Sequence, residues 1–272
     1  MFPILVSIGP FHLYSLSIFL VLAWGVFSFT FWRIMREYAV EEEKTFDLMF
    51  YGTIAAFVGA RLVYVLFHPG EFSDGGVLKA FAIWIAPGLS FYGGLLVGIS
   101  VMLAIARRRK VRMGTVLDGA APAIAGAIIV GKIGSLLGAS EVGLPSGLPL
   151  AIEYAGYSQL RHPVQMYEIG VLTLLLIGAM YFERKGARAR WPYGVSGSIF
   201  FLAYALSMFI LEFFKESGLY WRGLGVNQWI LLGLFCESLG AIYVRSGGRE
   251  FVRVLIDRLG GLYGRISKRR IT

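Results

Sequence analysis

The chain has 272 residues, of which 57% are hydrophobic and only 16% charged, and its mean hydropathy is +0.67. This composition is too apolar for a soluble globular protein of this length and predicts an all-α integral membrane protein. The net charge of +9 would suit nucleic-acid binding, but the basic residues concentrate in loops and the tail, so we expect membrane lipids and no nucleic acid as partners.

Seven apolar stretches have the length of about 20 residues that a helix needs to cross the hydrocarbon core. The fourth is the least apolar, because it is rich in Gly and Ala and contains Lys132. The sequence therefore predicts a seven-transmembrane-helix bundle with spans at 13–33, 47–67, 88–106, 118–138, 164–182, 194–214 and 225–245.

Basic residues follow the first, third, fifth and seventh stretches, whereas the other connections contain few of them. Because short loops rich in Lys and Arg stay in the cytoplasm, we expect an N-terminus on the periplasmic side and a cytoplasmic C-terminus. Residues 1–246 then form one transmembrane domain, and residues 247–272 form a basic amphipathic tail on the inner membrane surface. A frayed, solvated tail is the alternative. Cys236, the single cysteine, excludes a disulfide within the chain and a cysteine metal site.

The second and third stretches carry polar groups near their predicted outer ends. Arg61 follows Gly59 and Ala60, whose small size favours close helix contact, so its guanidinium is expected to face protein and to bind an anion; snorkelling to the interface is the alternative. Tyr92 precedes Gly93 and Gly94, where a second backbone or a lipid can approach closely. Tyr92 supplies a hydroxyl at this opening, and an interfacial aromatic anchor is the alternative role of its side chain.

Lys132 lies within the fourth stretch, where a charged side chain needs a partner or a function. Glu141 is the predicted partner. The pair is expected either to bind phosphate or another substrate group, or to be a structural ion pair.

A polar string, Arg161 to Glu168, begins the fifth stretch. Pro163 suits the first turn of a helix, so Arg161, Gln165 and Glu168 are expected on one helix face, flanked by His162 and Tyr167. A helix N-terminus beside an arginine favours phosphate binding.

Glu212 ends the sixth stretch and Gln228 begins the seventh. With the predicted topology, ten polar residues fall in the outer half of the bundle, and we expect them to converge on one site. These residues are Arg61, Tyr92, Lys132, Glu141, Arg161, His162, Gln165, Glu168, Glu212 and Gln228.

Nine segments, in this order, resemble the bacterial prolipoprotein diacylglyceryl transferase family, over about residues 8–245. They are Ile8–Pro10 with Tyr14, Gly59–Tyr64, Gly88–Leu95, Asp118 with Pro122, Gly131–Gly134, Gly143–Pro145, Arg161–Glu168, Glu212–Lys215 and Gln228.

The resemblance implies a seven-span fold in the bacterial cytoplasmic (inner) membrane, with an active site that opens toward the outer leaflet. It also implies transfer of a diacylglyceryl group from phosphatidylglycerol to the thiol of a lipobox cysteine in a prolipoprotein, with release of glycerol phosphate. This chemistry requires no metal and no cofactor. By resemblance, Arg61, Lys132 and Arg161 hold the phosphate, and Tyr92, His162 or a carboxylate assists proton movement. The implied catalytic residues are Tyr92, Glu141, His162 and Glu168, and the implied substrate-binding residues are Tyr14, Arg61, Gly93, Gly94, Lys132, Arg161, Gln165, Tyr167, Glu212 and Gln228.

Several positions depart from the family pattern: Lys132, Ser135 and Met208 stand where an arginine, an asparagine and a second arginine are usual, and Tyr92 stands where histidine is common. Lysine keeps the charge of arginine but loses the planar, two-pronged donor. Two alternatives to the implied activity therefore remain. One is a paralogue with another lipid donor or acceptor, and the other is a non-enzymatic phospholipid-binding protein or small-anion transporter. Transport would require a polar path through the inner half of the bundle, where charges are sparse.

Overall fold

A computed structural model describes residues 2–9, 11–72, 76–83, 86, 88–154, 156–216 and 220–247. The predicted amphipathic tail, apart from residue 247, lies outside the described residues. The helices are α1 (Ser15–Glu37), α2 (Glu42–Phe67), α3 (Pro69–Phe72), α4 (Gly76–Phe81), α5 (Phe91–Arg108), α6 (Met113–Gly138), α7 (Val164–Ala189), α8 (Val195–Leu211) and α9 (Val226–Arg245). A single 3-10 turn, Glu212–Phe214, follows α8.

Short antiparallel hairpins lie in the connections between helices. They pair β1 (Ile4–Ile8) with β2 (Phe11–Tyr14), β3 (Ile152–Glu153) with β4 (Leu160–Arg161), and β5 (Tyr220–Trp221) with β6 (Leu224–Gly225). The predicted all-α architecture is thus confirmed for the long elements. The hairpins were not predicted, because strands of two to five residues leave little periodic signal in a sequence.

Among the described residues, six helices are long and apolar enough to cross a membrane: Ser15–Glu37, Glu42–Phe67, Phe91–Arg108, Met113–Gly138, Val164–Gly186 and Val195–Phe214. They coincide with the first six predicted spans. The seventh predicted span corresponds to α9, a helix of 20 residues that does not reach this level of hydropathy. Asn227, Gln228 and Glu237 contribute its polar content.

Residues 28–116 form one compact unit, in which α2 and α5 pack closely. A Cβ atom on Gly59 would lie 2.8 Å from the carbonyl oxygen of Gly93, and a Cβ atom on Gly93 would lie 2.7 Å from that of Gly59. Gly94 likewise faces the backbone of Ala56. These glycines therefore allow the backbones of α2 and α5 to approach each other, which is the first of the two roles expected of Gly93 and Gly94.

The described residues of 1–27 and 117–247 form the other compact unit, which contains α6 from Leu117 onward and all of α7, α8 and α9. The start of α8 is fixed by the buried carboxylate of Asp118 in α6, which accepts hydrogen bonds from the backbone N–H groups of Gly194 at 2.5 Å and Gly197 at 2.7 Å. Gly194 has φ 90°, a conformation that favours glycine. The carboxylate satisfies donors that a helix N-terminus leaves open and complements its dipole.

Candidate functional site

Five charged side chains of the unit that contains α7, α8 and α9 form a connected group, called here the ion cluster: Lys132, Glu141, Glu168, Glu212 and Lys215. The Nζ atom of Lys132 lies 2.7 Å from Oε2 of Glu141 and 2.7 Å from Oε2 of Glu168. The Nζ atom of Lys215 lies 2.7 Å from Oε1 of Glu168, 3.3 Å from Oε2 of Glu212 and 3.4 Å from Oε2 of Glu141. The partner predicted for Lys132 is confirmed, and the pair belongs to a larger network.

Four helical segments and their connections bring the ion cluster together. Lys132 comes from the last two turns of α6, and Glu141 from the connection that follows. Glu168 lies in the first turns of α7, while Glu212 and Lys215 lie at the end of α8 and its 3-10 turn. Charges so far from water require partners, and each charge here has at least one of opposite sign.

The members of the ion cluster differ in exposure. The side chains of Glu168 and Glu212 are 3% and 7% exposed, and the two lysines 16% and 15%, whereas Glu141 is 37% exposed. Glu141 is therefore the carboxylate that an incoming molecule reaches most easily.

Electrostatic effects within the cluster oppose the cost of burial. Burial by itself raises the pKa of Glu141, but the ammonium groups of Lys132 and Lys215 outweigh it and hold that pKa below its ordinary value. Burial likewise disfavours the ammonium form of Lys215, yet Glu168 and Glu141 raise its pKa above the ordinary value. Both groups are therefore charged at neutral pH.

A buried chain of hydrogen bonds fixes the backbone of Glu141. The amide Nε2 of Gln165 donates to the carbonyl oxygen of Glu141 at 2.6 Å, and the hydroxyl of Tyr154 donates to Oε1 of Gln165 at 2.7 Å. Gln165 and Tyr154 are 0% and 1% exposed. Gln165 thus supports the cluster through the backbone, while its neighbour Glu168, three residues along α7, joins the cluster directly.

Arg161 lies in strand β4 and precedes α7, so the predicted helix face of Arg161, Gln165 and Glu168 is wrong for its first member. The cause is Pro163, which disfavours the helical conformation for the residue before it. The Nη1 atom of Arg161 donates to the carbonyl oxygen of Gly143 at 3.0 Å and to Oε2 of Glu216 at 2.9 Å. The guanidinium also lies 4.0 Å from the ring centroid of Tyr157.

His162 packs among aromatic rings beside the 3-10 turn. Its Nδ1 lies 3.3 Å from the hydroxyl of Tyr167, and its ring centroid is 5.3 Å from that of Phe214. Because Phe214 directly precedes Lys215, this packing contributes to the position of the turn that carries the lysine. Both His162 and Tyr167 therefore lie next to the ion cluster in the fold.

Gln228 and Asn227, at the start of α9, have different roles. The Oε1 atom of Gln228 accepts the backbone N–H of Gly225 at 2.9 Å, which caps the helix. The Nδ2 atom of Asn227 donates to Oε1 of Glu212 at 2.6 Å. The residue at this helix start that touches the cluster is thus Asn227, which was not among the predicted site residues.

Arg61, Tyr92, Gly93 and Gly94 belong to the compact unit of residues 28–116. The guanidinium of Arg61 donates to three backbone carbonyls, those of Ala80 at 2.6 Å, Gly88 at 2.9 Å and Lys79 at 3.2 Å. It therefore holds the segment between α2 and α5. Tyr92 is 42% exposed in the first turn of α5.

Tyr14 ends β2 in the other unit and is 53% exposed. The convergence of all ten polar residues on one site stays a prediction.

Comparison with known proteins identifies the family. A family model described as prolipoprotein diacylglyceryl transferase matches residues 3–244. The chain belongs to this family.

Three relatives are named phosphatidylglycerol–prolipoprotein diacylglyceryl transferase. The one from Bordetella avium is 33% identical over 259 residues, which is 91% of this chain and 96% of the relative. The one from Methylibium petroleiphilum is 30% identical and covers 91% of this chain and 97% of its own length. The one from Idiomarina loihiensis is 33% identical and covers 76% and 80%, respectively.

As a member of this family, the protein is a transferase of lipoprotein biosynthesis. Its six apolar helices indicate a multi-pass membrane protein. Within this family, the positions that depart from the usual pattern can now be located. Lys132 is a member of the ion cluster. Ser135 shares a hydrogen bond of 2.8 Å with Ser140, and Met208 is a buried apolar side chain of α8 that is 6% exposed. Lys215 supplies the second cation of the cluster.

No functional role was predicted for Lys215, Asn227 or Tyr154. The sequence pattern could have indicated Lys215, because it lies three residues after Glu212 at the end of an apolar stretch. No such pattern indicates Tyr154, since it lies in an irregular connection between β3 and β4.

Proposed function

We propose that the protein is a phosphatidylglycerol–prolipoprotein diacylglyceryl transferase of the bacterial cytoplasmic membrane. The observation that carries the proposal is the ion cluster, which places two ammonium groups beside a partly exposed carboxylate in a member of this family. A phosphodiester requires fixed cations in a medium of low dielectric constant, and a thiol requires a proton acceptor. The cluster supplies both.

The proposed architecture counts α9 as a seventh span. The N-terminus then lies in the periplasm, the C-terminus in the cytoplasm, and the ion cluster opens toward the outer leaflet. The basic residues that follow the first, third and fifth spans support this orientation. Residues 1–246 form the catalytic domain, and residues 247–272 form the membrane-surface tail.

In the proposed reaction, Lys132 and Lys215 bind the phosphate of phosphatidylglycerol. The sulfur of the lipobox cysteine attacks the glycerol carbon that carries the phosphate, a C–S bond forms, and the C–O bond breaks. The electron pair of that bond stays on glycerol phosphate, whose developing charge the two ammonium groups stabilise. The thiol proton passes to a carboxylate of the cluster, Glu141 or Glu168, and then to the departing phosphate.

The remaining predicted residues keep supporting roles in this proposal. Arg61 and Arg161 bind backbone carbonyls and fix the connections on which substrate binding depends. His162 and Tyr167 position the turn that carries Lys215, and Gln228 caps α9 beside Asn227. Tyr14, Tyr92, Gly93 and Gly94 are assigned to binding of the lipid or the peptide, and Tyr92 also assists proton movement.

The test is transfer by the purified protein in detergent micelles. Phosphatidylglycerol labelled in its acyl chains and a lipobox peptide should give a peptide with a thioether-linked diacylglyceryl group. A peptide in which serine replaces the lipobox cysteine should give none. Absence of product with the cysteine peptide, under conditions in which the Bordetella avium relative works, would contradict the proposal.

A further inference from the structure

The side-chain amide of Gln228 is buried at the start of α9, and its two ends differ in their contacts. Gln228 is 3% exposed. Its Oε1 atom accepts the backbone N–H of Gly225 at 2.9 Å, whereas its Nε2 atom has no hydrogen-bond partner among the described residues. Because a backbone N–H can bond only to the oxygen of the amide, this contact fixes which end is which. The end without a partner is therefore a donor.

A buried donor of this kind favours an acceptor from a bound molecule. An amide N–H that leaves water without an acceptor loses hydrogen bonds and gains none in return. The side chain reaches back to Gly225, the N-cap residue, so Nε2 lies at the N-terminus of α9, where a helix leaves backbone N–H groups unpaired. The helix dipole adds positive potential at this end. These groups together favour an oxygen atom with a partial negative charge.

The first turn of α9 also lies next to the ion cluster. Asn227, which precedes Gln228, donates from Nδ2 to Oε1 of Glu212 at 2.6 Å, and Oε2 of Glu212 lies 3.3 Å from Nζ of Lys215. In the proposed function, Lys215 binds the phosphate of the donor lipid. The acyl esters of that lipid are attached to the other carbons of the same glycerol, so their carbonyl oxygens lie within a few bonds of the phosphate. A lipid held at Lys215 thus brings an acceptor close to the start of α9.

Two tryptophans place this turn at the membrane interface. Trp229 follows Gln228, its ring centroid lies 5.0 Å from that of Trp221 in β5, and its Nε1 donates to the carbonyl oxygen of Trp221 at 3.1 Å. Both side chains are exposed on the protein surface. Tryptophan is enriched where lipid headgroups meet hydrocarbon. The ester carbonyls of phospholipids lie at this same depth, which favours a lipid ester over a peptide carbonyl as the acceptor for Gln228.

We propose that Nε2 of Gln228 donates a hydrogen bond to an acyl ester carbonyl of the donor lipid, and that this contact makes the enzyme prefer diacyl lipids to dialkyl ether lipids. The inference rests on the proposed transferase function and deepens it, because it names the part of the donor that the start of α9 recognises. An ether-linked lipid has the same headgroup and chains but no carbonyl oxygen, so it lacks this acceptor.

The experiment compares kcat/KM for transfer to a lipobox peptide from two labelled donors, diacyl phosphatidylglycerol and its dialkyl ether analogue, in otherwise identical micelles. The wild-type protein should prefer the diacyl donor by roughly fivefold, the usual effect of one hydrogen bond. Gln228→Met removes Nε2 at similar side-chain length and should bring the ratio close to one. This change also removes the cap of α9, but that loss affects both donors alike, so the ratio reports the hydrogen bond. Gln159→Met, at an exposed position between β3 and β4, should keep the wild-type ratio.

Equal kcat/KM for the two donors in the wild-type protein would overturn the inference and leave the transferase function intact. A diacyl preference that persists in folded Gln228→Met would overturn it as well, because Gln228 would then act only through the helix cap or the peptide. If Gln228→Met does not fold, the wild-type comparison decides alone.

If neither donor gives product, the transferase proposal fails, and lipid binding decides the inference. In native mass spectrometry with the two lipids at equal concentration, the wild-type protein should retain the diacyl lipid preferentially. Equal retention of the two lipids would refute the inference.

Discussion

Two cationic sites with little solvent exposure differ in the groups that accept hydrogen bonds from their side chains. In the unit of residues 28–116, Arg61 is 7% exposed and donates to three backbone carbonyls. In the other unit, Lys132 and Lys215 contact carboxylates. A carbonyl that belongs to the backbone cannot leave, whereas a carboxylate on a flexible side chain can exchange with another anion. We therefore propose a structural task for Arg61 and an exchangeable, ligand-binding task for the two lysines.

The largest effect is expected from Glu168→Ala. This change removes the most buried carboxylate that contacts both ammonium groups and leaves them with Glu141 and, for Lys215, Glu212. Removal of one partner from a buried ion pair costs about 3–5 kcal/mol of unfolding free energy, and the remaining carboxylates keep the cost at the lower end of that range. Thermal unfolding in detergent should show a large fall in midpoint temperature. Glu153→Ala, at an exposed position, is the matched control and should change little. A Glu168→Ala protein as stable as wild type would mean that the two lysines do not depend on this carboxylate.

The second largest effect on the free energy of unfolding is expected when arginine and lysine are exchanged at Arg61 and at Lys132. Arg61→Lys should cost about 2–4 kcal/mol, because one ammonium cannot reach three carbonyls arranged around a planar guanidinium. Lys132→Arg keeps the charge among carboxylates, which bind guanidinium well, and should cost less than about 1.5 kcal/mol. Equilibrium unfolding of the two variants in parallel measures the difference. Equal losses at both positions would remove the distinction between them.

A smaller effect is expected from Tyr154→Phe. Loss of the hydroxyl leaves Oε1 of Gln165 buried without its donor, which costs about 1–3 kcal/mol. Because Gln165 holds the backbone of Glu141, transfer activity should fall as well. Tyr157→Phe, in the same connection, is the control that keeps the ring beside Arg161. If Tyr154→Phe leaves activity and stability unchanged, the hydrogen bonds from Tyr154 through Gln165 to Glu141 do not support the ion cluster.

The smallest effect concerns pH. The pKa of Glu141 is lower in the folded protein than its ordinary value of 4.5, so its charge stabilises the fold above that value. The stabilisation should be lost as pH falls below about 4.5 toward the lowered pKa. The stability difference between wild type and Glu141→Gln should therefore shrink in acid. A difference that does not change between pH 6 and pH 3 would contradict the pKa shift.

Much of the fold followed from hydropathy, because six helices of this length and polarity have few alternatives in a bilayer. The pairing of Lys132 with Glu141 was also predictable, since an intramembrane lysine needs a nearby acid. The position of Arg161 was predicted wrongly, because the helical periodicity of α7 was extended back through Pro163 to residues that form a strand. Asn227 and Gln228 show a further limit. Two adjacent polar residues at a helix start look equivalent in sequence, and the tertiary contact with Glu212 distinguishes them.

The most direct test of the central claim, that the lysines of the ion cluster bind the donor phosphate, is kcat/KM for transfer from labelled phosphatidylglycerol to a lipobox peptide. Lys132→Met and Lys215→Met should each lower kcat/KM by roughly a hundredfold or more, the usual loss on removal of one group that stabilises transition-state charge. Lys79→Met, in the other unit, should leave it unchanged. Folded Lys132→Met and Lys215→Met proteins whose kcat/KM stays within about threefold of wild type would contradict the claim.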